Sequence, residues 1–305
     1  MPIEPRNVIN SPLGLNIAYL LGKFPYGLGH RIASFAADRI SSRADWKLVQ
    51  AVRCNQWVIH RDDPKKPDLD QLVTENFRST AISIFDFYHT INNPEESLRL
   101  IEPHPVALQL VQRPKYDKRG LIVVGIHMSN FDMVFQLGGL AGVKARVITL
   151  QELNPAYQKQ YEMRKKSGLE IVPASFGSVK HAIEHLRAGG LVISAMDRPD
   201  ETSAYRPRFF GLPATMPIHH VFLALKAKVP IIVAGILKQT DGKYHFLFSE
   251  PIEMHAHPNR HQEIELNAEK VLGVAEGFIR QDSSQWSMTF PLWPDVMNQV
   301  PGLHR

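Results

Sequence analysis

From Gly120 onward, short apolar runs alternate with amphipathic stretches along the chain. The runs LIVVGI, ARVITL, LEIVPA, LVISAM and PIIVAGIL are rich in Val, Ile and Leu, which is typical of buried strands. The stretches between them repeat apolar residues every three or four positions, which is the period of a helix. This alternation predicts an α/β fold, with a mostly parallel sheet flanked by helices.

The first hundred residues follow a helical period instead. DWKLVQAVRCNQWVIH and DLDQLVTENFRSTAISIFDFYHTI both place apolar side chains at helical spacing. The sequence therefore predicts a helical N-terminal layer over residues 1–110 and an α/β domain over residues 111–305. A further strand in KYHFLFSEPIE is predicted to be antiparallel, because a turn signal at Asp241 and Gly242 precedes it.

Composition narrows the choice of partners only in part. The chain has 305 residues, of which 44% are hydrophobic, and its formal net charge is +5. This excess of positive charge suits anionic lipid, a phosphate-bearing substrate or nucleic acid. The basic residues are scattered and are not interleaved with aromatic residues, so no nucleic-acid partner is expected. The single cysteine, Cys54, excludes an internal disulfide and a zinc–thiolate site.

The N-terminal segment has the mixed composition of a membrane-surface element. LNIAYLLGKFPYGLGHRIASFAADRI combines Leu, Ile, Tyr and Phe with Lys23, His30 and Arg31. A plain buried helix pair explains the same pattern equally well. The apolar stretch before Lys23 is too short and too interrupted to predict a helix that spans a membrane.

The segment GIHMSNFD places an imidazole at the end of a predicted buried strand. Ligands collect at the carboxyl ends of the strands in open parallel sheets, and His127 lies at such an end. Asp132 would fall in the first turn of the following helix, where its carboxylate can fix the tautomer of His127 as a general base. The alternative is a histidine in a polar loop, with Asp132 as a simple helix-terminus charge.

Several segments together resemble a known family. GIHMSNFD followed by FFGLPATMP resembles the bacterial lipid A biosynthesis acyltransferases of the lauroyl/myristoyl type. The match extends to the phosphatidylinositol mannoside acyltransferases of the same wider superfamily, which share the signature H-x4-D/E. Other resembling segments are YEMRKKSGLEIVP, GGLVISAMDRPD and QWSMTFPLWP, so that the resemblance covers most of the chain.

The resemblance implies a reaction and a set of site residues. A fatty acyl group would pass from acyl carrier protein or acyl-CoA, as co-substrate, to a hydroxyl of a lipid or glycolipid acceptor, with no metal or other cofactor. His127 would be the catalytic base and Asp132 would orient it. The expected substrate-binding residues are Asn130, Arg164, Asp197 and Arg198. The expected location is the cytoplasmic face of the inner membrane, bound peripherally or monotopically.

Some features separate the branches of this superfamily and the competing functions. Leu212 and Thr215 stand where the mannoside acyltransferases carry Glu and Arg, which favours the lauroyl type. An apolar acyl channel is expected from the segments that contain Phe131, Phe135, Phe209 and Phe210. The alternatives are a thioesterase or lipid hydrolase that uses the same pair of residues, and a lipid-binding protein without turnover. HAIEH, residues 181–185, fits a zinc pattern, but it is interpreted as part of a connecting helix.

Overall fold

A computed structural model describes residues 12–116, 119–149, 169–173 and 176–303 of the chain. The helices within these ranges are α1 Pro12–Leu21, α2 Tyr26–Ser41, α3 Lys47–His60, α4 Leu69–Asn92, α5 Pro94–Leu100, α6 Pro105–Tyr116, α7 Phe131–Leu140, α8 Phe176–Arg187, α9 His219–Ala227 and α10 Arg260–Ile279. The strands are β1 Ile101–Glu102, β2 Leu121–Gly125, β3 Arg146–Thr149, β4 Glu170–Pro173, β5 Leu191–Ala195, β6 Arg208–Phe209, β7 Leu212–Pro213, β8 Ile231–Lys238 and β9 Tyr244–Phe248. Two 3-10 turns, Ser283–Gln285 and Pro294–Gln299, follow α10.

Seven strands form one sheet in the order β1-β9-β8-β2-β5-β3-β4. The central strands β8, β2, β5, β3 and β4 are all parallel. β9 is antiparallel to β8, as the turn at Asp241 and Gly242 predicts. The mostly parallel α/β fold is therefore confirmed.

Apolar side chains on both faces explain why the central strands read as continuous hydrophobic runs. In β2, Ile122 and Val124 pack into the core under α8, α9 and α10, whereas Leu121 and Val123 pack on the opposite face. Gly120 precedes β2 at a point where a Cβ atom would lie 2.0 Å from the carbonyl oxygen of Leu186. Only glycine fits this contact, so the entry of β2 is fixed against α8.

The N-terminal helices form a layer that packs on itself and on the sheet domain. Asp68 caps α4 by accepting from the backbone N–H groups of Asp70 and Gln71, in line with the sequence. Burial raises the pKa of the Cys54 thiol in α3 to about 12, which keeps it protonated and unreactive.

Two features qualify the boundaries read from the sequence. The short strand β1 pairs with β9, so the sheet takes one strand from the segment predicted to be helical. Helix α6 continues across residue 110. The division into 1–110 and 111–305 stays a prediction. The predicted helix NPAYQKQYEMRKKSG, which contains Arg164, lies outside the described residues.

A buried ionic cluster joins the helical layer to the end of β8. Asp86 of α4 is fully buried and accepts from Lys238 Nζ at 2.8 Å and from the Tyr244 hydroxyl at 2.5 Å. His30 Nε2 of α2 lies 2.6 Å from the other carboxylate oxygen, and Lys238 Nζ also donates to the Tyr26 hydroxyl at 3.1 Å. The cluster therefore ties two helices of the layer to two strands.

Burial alone would raise the pKa of Asp86, but the hydrogen bond from His30 and the charge of Lys238 outweigh it. The pKa of Asp86 consequently lies below its ordinary value of 3.8. Burial likewise acts to lower the pKa of Lys238, yet the neighbouring Asp86 raises it. Both groups stay charged, and each depends on the other for compensation.

Asp86→Asn is expected to lower the free energy of unfolding by about 3–5 kcal/mol, because it leaves the charge of Lys238 uncompensated in a largely buried site. Denaturant unfolding measures this loss. Asp38→Asn is the matched control, because it breaks an exposed ion pair with Arg78 and should cost much less. Equal losses in the two variants would contradict the importance of the cluster.

The same variant carries a pH signature. The folded-state pKa of Asp86 lies below 3.8, so its stabilising contribution is present above that pH and is lost as the pH falls through the folded value. The stability difference between the wild type and Asp86→Asn should therefore narrow in acid. A stability difference that widens in acid would contradict the lowered pKa of Asp86 in the folded protein.

Candidate functional site

The carboxyl ends of two neighbouring strands bring an imidazole and a carboxylate together. β2 and β5 are adjacent and parallel, with Gly125 opposite Ala195. His127 lies two residues beyond the end of β2, and Asp197 lies two residues beyond the end of β5. Equal offsets past paired residues place the two side chains side by side at the ligand edge of the sheet.

Asp197 contacts His127 through both of its carboxylate oxygens. His127 Nδ1 lies 2.6 Å from Asp197 Oδ1, and the backbone N–H of His127 donates to Oδ2 at 2.8 Å. The Asp197 side chain is 1% exposed and that of His127 is 21% exposed. An ionised carboxylate only accepts, so the ring proton lies on Nδ1 and Nε2 keeps its lone pair. The ring is thus prepared to take a proton at Nε2.

A third donor completes the surroundings of the carboxylate. The indole Nε1 of the buried Trp286 donates to Asp197 Oδ2 at 2.8 Å. Burial acts to raise the pKa of Asp197, but the electrostatic interaction with His127 and the hydrogen bonds from His127 and Trp286 outweigh it, so the pKa is lowered. Asp197 therefore stays ionised although almost no water reaches it.

The segment Gln285–Ser287, which we call the strap, holds the loop that follows β2. The backbone N–H of Ser129 donates to the Gln285 carbonyl at 2.7 Å, and that of Ser287 donates to the His127 carbonyl at 2.8 Å. Met128 and Trp286 form a β-bridge between these two bonds. The strap thus fixes the backbone of the imidazole as well as its carboxylate partner.

The helical layer in turn holds the strap. Asn76 Nδ2 of α4 donates to the carbonyls of Ser284 and Trp286 at 3.1 and 2.8 Å, and the Thr80 and Ser287 hydroxyls lie 3.0 Å apart. At the other end, the side-chain amide of Gln285 bonds the backbone N–H and carbonyl of Lys238, both at 2.8 Å.

Asp132 lies in the first turn of α7, as predicted, and the His127 ring packs edge-on against Phe131 with centroids 4.5 Å apart. The sequence assigns the orientation of His127 to Asp132, but the structure places Asp197 at Nδ1. The sequence prediction chose Asp132 because it lies five residues from His127. The partner in the structure is Asp197, which is close because β2 and β5 are neighbouring strands, and sequence spacing does not reveal which strands are neighbours. That Asp132 also orients the ring stays a prediction.

The predicted substrate-binding residues that the structure describes are found in different surroundings. Asn130 is buried directly before α7, three residues after His127. Both carboxylate oxygens of Asp197 are engaged, which favours an orienting role over the substrate-binding role expected of it. The Arg198 guanidinium lies 5.0 Å from the ring centroid of Phe290, next to Asp197 in the chain. Arg164 lies outside the described residues.

The aromatic residues expected to form a channel do not share one setting. Phe209 stacks on Trp293 with centroids 5.7 Å apart and meets Trp286 at 5.9 Å, inside the core. Phe210 is buried with its ring 4.8 Å from the Arg280 guanidinium carbon. The side chain of Phe135 is outside what the structure describes. The acyl channel stays a prediction.

HAIEH falls in α8, a helix that connects β4 to β5, as interpreted from the sequence. Over the described ranges, no three or more His, Cys, Asp or Glu side chains group so that they could hold a metal ion.

Trp286 is a functional candidate that the sequence did not single out. The dipeptide Gln285-Trp286 belongs to QWSMTFPLWP, which carried the family resemblance without a role for either residue. A tryptophan in a C-terminal segment reads as an ordinary core residue, and only its contact with Asp197 distinguishes it.

Comparison with known protein families gives a match over nearly the whole chain. Residues 5–294 match the family described as bacterial lipid A biosynthesis acyltransferase. The chain belongs to this family. Membership implies an acyltransferase of lipid biosynthesis and leaves the acceptor and the donor open. A search of curated proteins gave no match.

Trp286→Phe is expected to raise the pKa of Asp197, because it removes a donor that stabilises the carboxylate. Protonation of Asp197 removes the acceptor of His127 Nδ1, so the loss of activity that this protonation causes in acid should begin at a higher pH than in the wild type. Trp293→Phe is the matched control, because its buried Nε1 has no hydrogen-bond partner among the described residues. The proposed role of Trp286 fails if both variants keep the wild-type profile.

Proposed function

We propose that the chain transfers a fatty acyl group from the thioester of acyl carrier protein or CoA to a hydroxyl of a lipid or glycolipid acceptor. The observation that carries this proposal is the His127–Asp197 pair, which lies at the ligand edge of the sheet in a member of an acyltransferase family. His127 acts as the general base, and Asp197 fixes its tautomer.

The chemistry follows from the orientation of the ring. The acceptor hydroxyl gives its proton to Nε2 of His127 while its oxygen attacks the thioester carbonyl carbon. Asp197 stabilises the imidazolium that forms, and it does so strongly because the pair lies where little water screens it. The tetrahedral intermediate then collapses, the carbon–sulfur bond breaks, and the departing sulfur takes the proton from Nε2.

The remaining predicted residues are proposed to assist the His127–Asp197 pair. Asp132, in the same helix turn as Phe131, is proposed to support the imidazolium from the α7 side. Arg198 follows Asp197 directly and, with Arg164, is proposed to supply positive charge to phosphates of donor or acceptor. The net charge of +5 suits both an acidic carrier protein and an anionic lipid surface.

His127→Ala is expected to lower kcat about a hundredfold or more, as loss of a general base does. Asp197→Asn should lower kcat nearly as much, because the carboxylate that keeps the ring proton of His127 on Nδ1 is lost. Acyl transfer to lipid, followed by mass spectrometry, measures this. Asp200→Asn, a carboxylate three residues further along, is the control and should stay active.

The lipid profile of cells that lack the protein, restored with wild type or His127→Ala, identifies the acceptor. A lipid that regains an acyl chain only with the wild type supports transfer. Free fatty acid released without any dependence on acceptor would favour a thioesterase. Full restoration by His127→Ala would favour a lipid-binding protein without turnover.

A surface patch on the first two helices favours contact with a membrane. We define the apolar patch by exposed side chains on α1, α2 and the turn between them: Ile17, Leu20, Phe24, Leu28 and Phe35. Basic residues border it, with Lys23 over the Tyr19 ring and Arg39 over the Phe35 ring. No helix within the described ranges has the length and apolarity to cross a membrane. We propose peripheral binding to the cytoplasmic face of the inner membrane.

Replacing Leu20 and Phe35 together by Ser is expected to release the protein from vesicles, because both apolar side chains would lose their contact with the acyl region. Co-sedimentation with phosphatidylethanolamine–phosphatidylglycerol vesicles measures this. Leu266→Ser on α10 removes an equally exposed leucine, 55% against 57% for Leu20, and should keep binding. Equal binding by all three proteins would exclude the apolar patch.

A further inference from the structure

Two buried polar side chains that follow His127 in the chain each carry a donor without a hydrogen-bond partner among the described residues. Ser129 is 3% exposed and Asn130 is 2% exposed. Neither Ser129 Oγ nor Asn130 Nδ2 has a partner among the described residues. A buried donor without a partner costs free energy, so such groups call for an explanation in a native structure.

Neither residue is explained by the backbone it supports. The Ser129 N–H is engaged by the Gln285 carbonyl and the Asn130 carbonyl accepts from Met133, so the backbone needs neither side chain for these bonds. Ser129 also has φ +48°, a conformation in which glycine would be the cheaper residue. Serine is therefore unfavourable here twice over, for its backbone and for its hydroxyl.

The two side chains lie at the start of α7, two and three residues after the general base. The first N–H groups of a helix have no partner within the helix, and the helix dipole makes this end positive. Ser129 Oγ–H and Asn130 Nδ2–H are therefore two donors, uncommitted within the described part of the chain, at this positive helix end, two and three residues along the chain from the base. The arrangement suits a developing negative charge.

We propose that Ser129 Oγ–H and Asn130 Nδ2–H donate to the thioester carbonyl oxygen and form the oxyanion hole of the reaction. This inference rests on the proposed function and adds two catalytic residues to it. When the acceptor oxygen attacks, the carbonyl π electrons move to the oxygen, which the two donors stabilise. When they return, the carbon–sulfur bond breaks and the donors release the product ester.

Ser129→Gly separates this role from a structural one. Glycine accepts positive φ without strain and removes a buried unpartnered hydroxyl, so the melting temperature should stay equal or rise. If the hydroxyl stabilises the oxyanion, kcat should fall about a hundredfold with KM little changed. Asn130→Ala should lower kcat in the same way. Ser42→Gly, at an exposed serine after α2, is the matched control and should stay active.

Turnover is measured as thioester consumed, with palmitoyl-CoA and palmitoyl-acyl carrier protein as donors and the lipids extracted from cells that lack the protein as acceptor. Binding is measured with two CoA analogues: a palmitoyl trifluoromethyl ketone, whose hydrate imitates the tetrahedral intermediate, and a palmityl thioether, which lacks that oxygen. Both variants should bind the ketone at least about tenfold more weakly, and should keep the affinity for the thioether.

The outcomes separate this inference from the proposed function. Slower turnover and weaker ketone binding in a fully stable Ser129→Gly protein support it. Wild-type turnover in Ser129→Gly overturns it and leaves the role of His127 standing. Parallel losses of melting temperature and activity also overturn it, because they indicate a structural serine. A wild type that consumes neither thioester overturns the proposed function. In that case weaker ketone binding by the two variants still supports the oxyanion hole, and unchanged ketone binding overturns it.

Discussion

A negative charge kept on a carboxylate with almost no access to water is the interaction on which the rest of the site depends. Asp197 would lose its charge in that position if it were left alone, since burial favours the neutral acid. Three donors prevent this, and each comes from a different feature: the imidazole, the loop backbone and an indole. The strands, the strap and the helical layer can be understood as the means of holding those donors in place.

This view gives the N-terminal helices two tasks. Their outer face carries the apolar patch, and their inner face carries Asn76, whose amide holds the strap that contacts His127 and Asp197. The Asp86 cluster fixes the same layer to Lys238 at the end of β8, and the backbone N–H of Lys238 donates to the side chain of Gln285. Asp86 of the helical layer is therefore connected through Lys238 and Gln285 to the loop that carries His127.

Much of the fold could be predicted from the sequence, because strands buried on both faces leave continuous apolar runs, whereas amphipathic helices repeat apolar residues every three or four positions. The position of His127 at a strand end also followed from its apolar run. Its partner did not, because the choice between Asp132 and Asp197 depends on which strands are neighbours, and that is decided by packing over long distances. Trp286 was not predicted for the same reason: its role depends on a hydrogen bond to Asp197, which lies 89 residues earlier in the sequence.

The position of the strap late in the chain has a consequence for synthesis. A nascent polypeptide that stops short of Trp286 already contains His127 and Asp197, yet it lacks the indole and the backbone groups that hold them. Such a fragment contains the His127 and Asp197 side chains without the contacts that align them. The His127–Asp197 pair therefore acquires this alignment only after translation has passed through the strap.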